Sequence, residues 1–485
     1  MSGPLQSEVP KALTALSLSF MAFWTLGIAD VAAQSAIVEG REPPSIHTHG
    51  LPRLEDRAPG AAIVEVDLVA ATAHLELLPG RSSDVFAYNG SVPGPLLEVT
   101  EGDSLIIHVR NDLPEATTIH WHGLHIPFVA DGSPFHPIEP GGSFTYAFRI
   151  PTGSAGTYWY HPHPDHRAAY QVGMGLFGAI IVRDPNDPLP PLAEHVLVLS
   201  DNRFRDDGSI DFPEAGTRVA EMDELNGREG DVIFVGSEIL PTLSIRAGEV
   251  QRWRIVNASG ARIYRLALDG HSLLHVGSDG GLFEHPVEVD EILLANGERV
   301  ELLVRGTGEP GSRAVLKALP YDRYMARGRP DSWNEPREIL TLRYTDDPPV
   351  EPIDIPGVLR RIDALPIADA DTSRTILLQQ GRINGKTMDM GRVDEQASLG
   401  ATEIWEVENL VGMDHPFHLH GFQFQVLDRN GIPEPQPMWK DTVNLPAFGR
   451  ARFIVRFDDF AGKWMFHCHI LDHEDQGMMS ILQVE

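Results

Sequence analysis

The sequence predicts an all-β fold of three repeated sandwich- or barrel-like units. Three observations predict it. Apolar runs are short and broken by turn residues, with 45 glycines and 38 prolines in 485 residues, a pattern of many short strands. The chain exceeds what one hydrophobic core supports, so two or three domains are expected. One motif also recurs three times, as periodic architectures do.

Before the first repeat lies a targeting segment. After Lys11 an uncharged, largely apolar stretch runs from Ala12 to Ala29, and Val31, Ala32 and Ala33 supply a small-residue cleavage site before Gln34. Residues 1–33 are therefore expected to be a secretory signal peptide, and the mature protein periplasmic or secreted. The stretch is marginal in length for a membrane span, so a retained anchor is the alternative. No twin-arginine pair precedes Ala12, which leaves the export route open.

Charge excludes one class of partner. Lysine and arginine total 39 against 69 acidic residues, a formal net charge of -30. Such a chain repels phosphate backbones, so nucleic acid is not expected as a partner; solubility explains the excess acid.

The repeats then follow in order. YNGSVPGPLLEVTEGDSLIIHVRN from Tyr88, FVGSEILPTLSIRAGEVQRWRIVN from Phe234 and RINGKTMDMGRVDEQASLGATEIWEVEN from Arg382 each carry a glycine turn, a second turn and an alternating strand ending in asparagine. Counting on, they reach HWHG at His120, ALDG at Ala267 and HLHG at His418. Further on, AGTYWYHPH from Ala155 aligns without a gap on AGKWMFHCH from Ala461, placing Pro162 where Cys468 stands. The first and third units are thus cognate, and the middle one is a spacer that lacks the histidine pairs. Composition sets the expected boundaries: a first domain over 61–184, a second over 190–344, a proline-rich linker over 345–370 and a third domain over 371–485. Units of this size suit small Greek-key sandwiches or barrels.

Residues two apart on a strand share a face, so each His-x-His on a strand presents two imidazoles side by side. Five such pairs occur: His47 and His49, His120 and His122, His161 and His163, His418 and His420, His467 and His469. The first pair precedes the repeats, matches no repeat position and is read as ordinary surface histidine. The other four occupy matched positions, and their eight imidazoles can surround several metal ions where the first and third domains meet. Imidazole suits copper, zinc or iron, so the count alone leaves the metal open.

Cys468, the only cysteine, narrows the choice. On its strand it points away from His467 and His469, toward a different ion. Two histidines, one thiolate and a weak axial methionine are the ligand set of blue copper. His473 and Met478 follow within loop reach, and His415 in HPFHLHG is free to supply the second imidazole. Met479 is the less favoured axial alternative, since it should alternate away from Met478.

Through HWHG, YHPH, HPFHLHG and HCHILDHEDQGMM, in this order and spacing, the chain resembles the multicopper oxidases, with bacterial laccases and copper efflux oxidases the most similar in character. The resemblance implies three cupredoxin-like Greek-key β-sandwich domains and four copper ions per chain. It assigns a type 1 copper to His415, Cys468, His473 and Met478, a type 2 copper to His120 and His418, and a type 3 pair to His122, His161, His163, His420, His467 and His469. It implies that electrons enter at type 1 from a donor near the more exposed His473 and leave through Cys468 to the cluster, where dioxygen becomes water. Asp131 and Glu474 match carboxylates that relay protons in this family, and Asp441 in WKDTV is a candidate acceptor for a ligating histidine.

The expected partners are dioxygen and a small-molecule electron donor, a phenol or an aromatic amine as in laccases. The alternative donor is cuprous ion. Against that alternative, ALPYDRYMARGRPDSWNEP holds only Met325 where copper efflux oxidases carry a methionine-rich insert; in its favour, Met413 matches a family residue near the cuprous site. Three complete domains suffice for a monomer.

Overall fold

A computed structural model describes residues 45–60, 62–324 and 334–485; the signal segment 1–33 and Met325 lie outside the described residues. Six sheets are arranged as three sandwiches, each with its own apolar core. In the first, strands Arg81–Tyr88, Ile63–Leu78, Ser104–Asp112 and Ser143–Arg149 form one sheet. Strands Leu97–Thr100, Gly178–Arg183, Gly156–His161 and His120–His122 form the other. The second and third sandwiches each pack a seven-stranded sheet on a five-stranded one.

The threefold repeat reappears as topology. In every sandwich the repeat's alternating strand pairs in parallel with the strand that opens the unit: Ser104–Asp112 with Ile63–Leu78, Val250–Asn257 with Ala193–Asn202, and Thr402–Asn409 with Thr372–Gln379. Parallel neighbours cannot be joined by a hairpin, so the chain crosses to the other sheet between them, which gives these sandwiches their Greek-key character.

The recurrent asparagine has one task in all three units. Asn111 donates Nδ2–H to Glu115 O and Ile138 O at 2.9 and 2.7 Å and accepts from Leu113 N at 2.9 Å. Asn257 does the same for Arg262 O, Leu294 O and Ser259 N, and Asn409 for Met413 O, Leu445 O and Val411 N. All three are buried. A side-chain amide offers two donors and an acceptor at one point, which is what a buried strand-to-loop turn needs for its unpaired backbone groups.

The sandwiches share further apolar and ionic contacts. Trp159, Ala179 and Ile181 of the first pack with Val196, Val198 and Val256 of the second and Leu471 of the third. Beside them a buried network links Arg183 to Glu194, Glu194 to Arg254, and Arg254 to Glu301, which also accepts from Thr157 Oγ1 at 2.8 Å. The two-residue strand Ile46–His47 joins the second sandwich, pairing in parallel with Ala193–Asn202. Between Tyr344 and Thr372 the chain has no regular structure beyond one short turn, Ile367–Asp369. No helix among the described residues is long and apolar enough to cross a membrane.

Candidate metal centre

Register brings the histidines together. His120 faces His161 across one antiparallel strand pair of the first sandwich, and His418 faces His467 across another of the third. Opposite residues of an antiparallel pair share a face, so each pair aims two imidazoles at the seam between the sandwiches. All eight imidazoles of the matched pairs are buried there. His120 stacks on His420 and His122 on His418, each with ring centroids 3.9 Å apart.

Their nitrogens form overlapping groups, His120, His122 and His418 among them, and two triads of that set have no residue in common. His163, His420 and His467 form one triad, with His420 Nε2 at 3.0 Å and His163 Nε2 at 3.4 Å from His467 Nε2. His122, His161 and His469 form a second, with His469 Nε2 at 3.3 Å from His122 Nδ1. His120 and His418 meet through their Nε2 atoms at 3.5 Å. Every group draws on both the first and the third sandwich; none of the eight comes from the middle one.

The outward nitrogens are held by acceptors. His120, His161, His418 and His467 donate Nδ1–H to the carbonyls of Asp131, Pro162, Asp441 and Cys468 at 2.9–3.0 Å. His420 donates to Asp131 Oδ2 at 3.0 Å, and His122 donates Nε2–H to Asp441 Oδ1 at 2.9 Å. These bonds fix which nitrogen keeps its lone pair for the interior. Asp441 is itself clamped by Arg299, whose Nη1 and Nη2 lie 2.8 and 2.5 Å from its two oxygens. Gly123, at φ 89, sits where a Cβ would stand 2.5 Å from Asp441 Oδ2, so the glycine that closes HWHG makes room for this clamp.

On the other side of its strand Cys468 lies in the apolar core of the third sandwich with Phe417, Ile470 and Met478. The pleat thus separates its sulfur from its neighbours' imidazoles as expected. His473 Nδ1 is 3.7 Å from Sγ, and His415, Cys468 and His473 group together. The loop folds back through Met478 N to His473 O at 2.9 Å and Cys468 N to Met478 O at 3.1 Å. Met479 is register partner of His467 on the next strand and stands outside that apolar cluster.

The two carboxylates bracket the histidine cluster. Asp131 is buried against His420 and His120; burial opposes its ionisation, but the two imidazoles hold it well below the ordinary carboxyl range. Glu474 lies 3.4 Å from both His163 Nε2 and His467 Nδ1, and burial, with Asp475 adding to it, pushes its carboxyl well above the ordinary range.

Two readings need correction. The His473 ring is not exposed: it is buried, and its Nε2–H donates to Leu225 O at 3.1 Å, beneath the helix Arg218–Asn226. Nearby, Met413, whose match to a family residue this leaves as it stood, is buried with its sulfur 3.7 Å from Arg323 Nη1. The middle sandwich is more than a spacer, because Arg299 and Asn296 belong to it; Asn296 Nδ2 donates to His469 O. Neither residue lies in a repeat motif, so nothing in the sequence marks them.

The donor set fits metal ions. Burial, reinforced by neighbouring imidazoles, holds His122, His161, His163, His418 and His467 well below their ordinary value, and pushes His420 to about 4 and His469 to about 3. Neutral imidazoles crowd lone pairs together, a costly arrangement unless a cation accepts them. His161 Nε2 and His415 Nε2 are buried without a hydrogen-bond partner. Burial also pushes the Cys468 thiol up to about 12; a metal beside it would deprotonate it outright. Two imidazoles, one thiolate and a nearby methionine are the donor set of a blue copper site.

Comparison with known proteins agrees. Family models described as multicopper oxidase match residues 69–187, 156–346 and 363–485. The chain is 32% identical over 428 residues to the multicopper oxidase mco of Staphylococcus aureus, covering 86% of this chain and 88% of that protein. It superposes on a multicopper oxidase from Campylobacter jejuni described as a metallo-oxidase with a TM-score of 0.82 and 33% identity, covering 91% of this chain and 96% of that one. A laccase from Pediococcus acidilactici gives a TM-score of 0.79 and 30% identity, covering 92% and 95%. The chain therefore belongs to the multicopper oxidase family, copper-binding oxidoreductases that use dioxygen as acceptor.

Proposed function

We propose that this protein removes electrons one at a time from a small donor and spends them on the four-electron reduction of dioxygen to two waters, using four copper ions. The observation that carries the proposal is the gathering of eight buried imidazoles at one seam, where His122, His161 and His469 and, separately, His163, His420 and His467 form triads that each span two sandwiches. His415, Cys468, His473 and Met478 would hold one copper, His120 and His418 the second, and the triads His122, His161, His469 and His163, His420, His467 the remaining two. Bound there, copper supplies the one-electron redox chemistry.

The chain's own groups supply orientation, insulation and protons. Carbonyl and carboxylate acceptors keep six of the eight imidazoles, those of His120, His122, His161, His418, His420 and His467, in one tautomer. Cys468 is joined by peptide bonds to His467 and His469, so the two sites share one short stretch of backbone. Four protons are consumed for each dioxygen; the Glu474 carboxyl, which burial keeps protonated, is the donor on one side, and the Asp131 carboxylate on the other is the acceptor through which protons are relayed.

The donor carries two readings. The helix Arg218–Asn226 over His473 leaves no open face for a broad aromatic ring, which favours a small donor, cuprous ion. The single methionine in the segment around Met325 favours the laccase-like reading, a phenol or an aromatic amine. The reading of residues 1–33 as a signal places the reaction in the periplasm or outside the cell, carried out by a monomer.

The test is oxygen uptake by copper-replete enzyme with cuprous ion and with a dimethoxyphenol, in the wild type and in a variant whose residues 218–226 are replaced by a short glycine-serine loop. A small-donor site oxidises cuprous ion in both and gains phenol turnover only in the loop variant. Equal phenol turnover in both would establish the laccase-like reading. Copper analysis giving one or two ions per chain, without a near-ultraviolet type 3 band, would overturn the four-copper proposal.

A further inference from the structure

The pair His47 and His49, which no repeat position explains, gains a third histidine in the folded chain. Parallel pairing sets His47 opposite His195 of strand Ala193–Asn202. The His47 and His49 rings stack on His195 with centroids 4.7 and 5.2 Å away and planes inclined by 15° and 22°. His49 Nε2 lies 3.0 Å from His195 Nδ1. His195 is buried and its Nε2 has no partner; His49 is half-buried and His47 exposed.

The local backbone is held in an uncommon state to achieve this. His49 has φ 49, left-handed for a residue with a side chain. The turn is fastened by Leu51 N to Thr48 O at 3.1 Å and by Ser237 N to His49 O at 3.0 Å. Strain of this kind persists where the surroundings impose it, and such places are often binding sites.

We propose that His47, His49 and His195 form a further transition-metal site, separate from the copper centres, that takes one divalent late first-row ion. Two nitrogens about 2.0–2.1 Å from one ion stand roughly 2.9–3.4 Å apart between square and tetrahedral angles, and the separation of the His49 and His195 nitrogens falls within that span. An imidazole-only set favours copper, nickel or zinc over calcium or magnesium. Burial, then the neighbouring rings, pushes His49 to about 4 and His195 to about 3. Both are therefore uncharged at neutral pH, and an ion enters once the N–H shared between His49 Nε2 and His195 Nδ1 has moved to an outer ring nitrogen. The exposed side, at His47, admits the ion and leaves room for water. An ion here ties the segment from Ile46 to Gly50 to the sheet of the second sandwich.

Zinc is the probe, titrated calorimetrically into copper-loaded full-length protein. The wild type is expected to bind one zinc per chain, the His49→Asn variant to lose that binding, and the His47→Asn variant to be weakened by about tenfold or more. His47 is exposed, so its replacement leaves the packing intact. Hydrogen exchange over residues 45–51 should slow with zinc in the wild type and not in His49→Asn, while blue absorption and oxygen uptake stay the same in all three. If copper loading fills the site first, it appears as a fifth copper that His49→Asn lacks, which also supports the proposal. Absence of both zinc binding and a fifth copper in the wild type, or identical titrations in all three proteins, would overturn it.

Discussion

Asp441 accepts a hydrogen bond from His122 at 2.9 Å although the two residues stand on different sandwiches, 319 positions apart in the chain. Its second oxygen is occupied by Arg299. Removing the carboxylate leaves a fully buried guanidinium with its nearest anion gone. Asp441→Ala is expected to cost about 3–5 kcal/mol, the range for breaking a buried pair, read as a lower denaturant midpoint of the metal-free protein. The gentler Asp441→Asn keeps the shape and should weaken copper retention about 10–100-fold, measured by dialysis against a graded chelator.

Asp131 sits between His120 and His420 and is expected to matter more for turnover than for colour. Asp131→Asn should lower the rate of oxygen uptake by about 10²–10⁴-fold, the usual scale for a lost proton-transfer group. The blue absorption should persist, because Asp131 groups with His120 and His420 and not with His415, Cys468 and His473. Loss of the blue band together with turnover would instead give Asp131 a structural role.

Cys468→Ser tests the division of one strand between two sites. The variant should lose all blue absorption and donor oxidation while keeping three of the four coppers proposed, because His467 and His469 reach the cluster from the opposite face. Metal analysis beside the visible spectrum decides it; loss of every copper would contradict the separation.

Acid stability should follow Glu194. Burial alone would raise its carboxyl, but Arg254, Arg252 and Arg183 hold it at about 2. A folded value below the unfolded one, ordinarily about 4.3 for glutamate, means that the folded state binds fewer protons. The stabilisation is therefore complete above the unfolded value and is lost as pH falls toward 2. Melting temperature should be flat near neutrality and drop below pH of about 4. Glu194→Gln should be less stable at neutral pH, by up to about 3–5 kcal/mol, and should show a shallower acid decline in thermal melts.

Asn257→Ala removes two donors and an acceptor from the strand-end turn of the middle sandwich. The carbonyls of Arg262 and Leu294 lose this donor, at about 1–3 kcal/mol for a buried group left unsatisfied. Urea unfolding should show that loss with unchanged copper content, since Asn257 touches none of the clustered histidines.

Much of this was legible from spacing. A period of two on strands was enough to place His467 and His469 opposite Cys468, and the matched offsets in the first and third units were enough to bring eight imidazoles to one seam. The three terminal asparagines were visible as a pattern, but their task required the carbonyls they bind, which come from loops of unequal length. Spacing could not divide the six type 3 candidates into triads, because each triad mixes strands from two sandwiches. Nor could it find the cover over His473: the helix Arg218–Asn226 has no apolar stripe to announce it, and its relation to the site runs through the backbone carbonyl of Leu225. Arg299 was invisible for a similar reason, since one buried arginine in an alternating strand looks like any solvent-facing one.

The reach of Arg299 and Asn296 bears on how such a chain could be shortened or recombined. The middle unit contributes no imidazole to the cluster, yet it holds the seam from above as a keystone holds an arch. A chimera that joined the outer units directly would keep every ligand and lose the wedge that orients His122 and His469. A transplant of the middle unit from a relative would work only if it brought its own arginine and asparagine to the same two points.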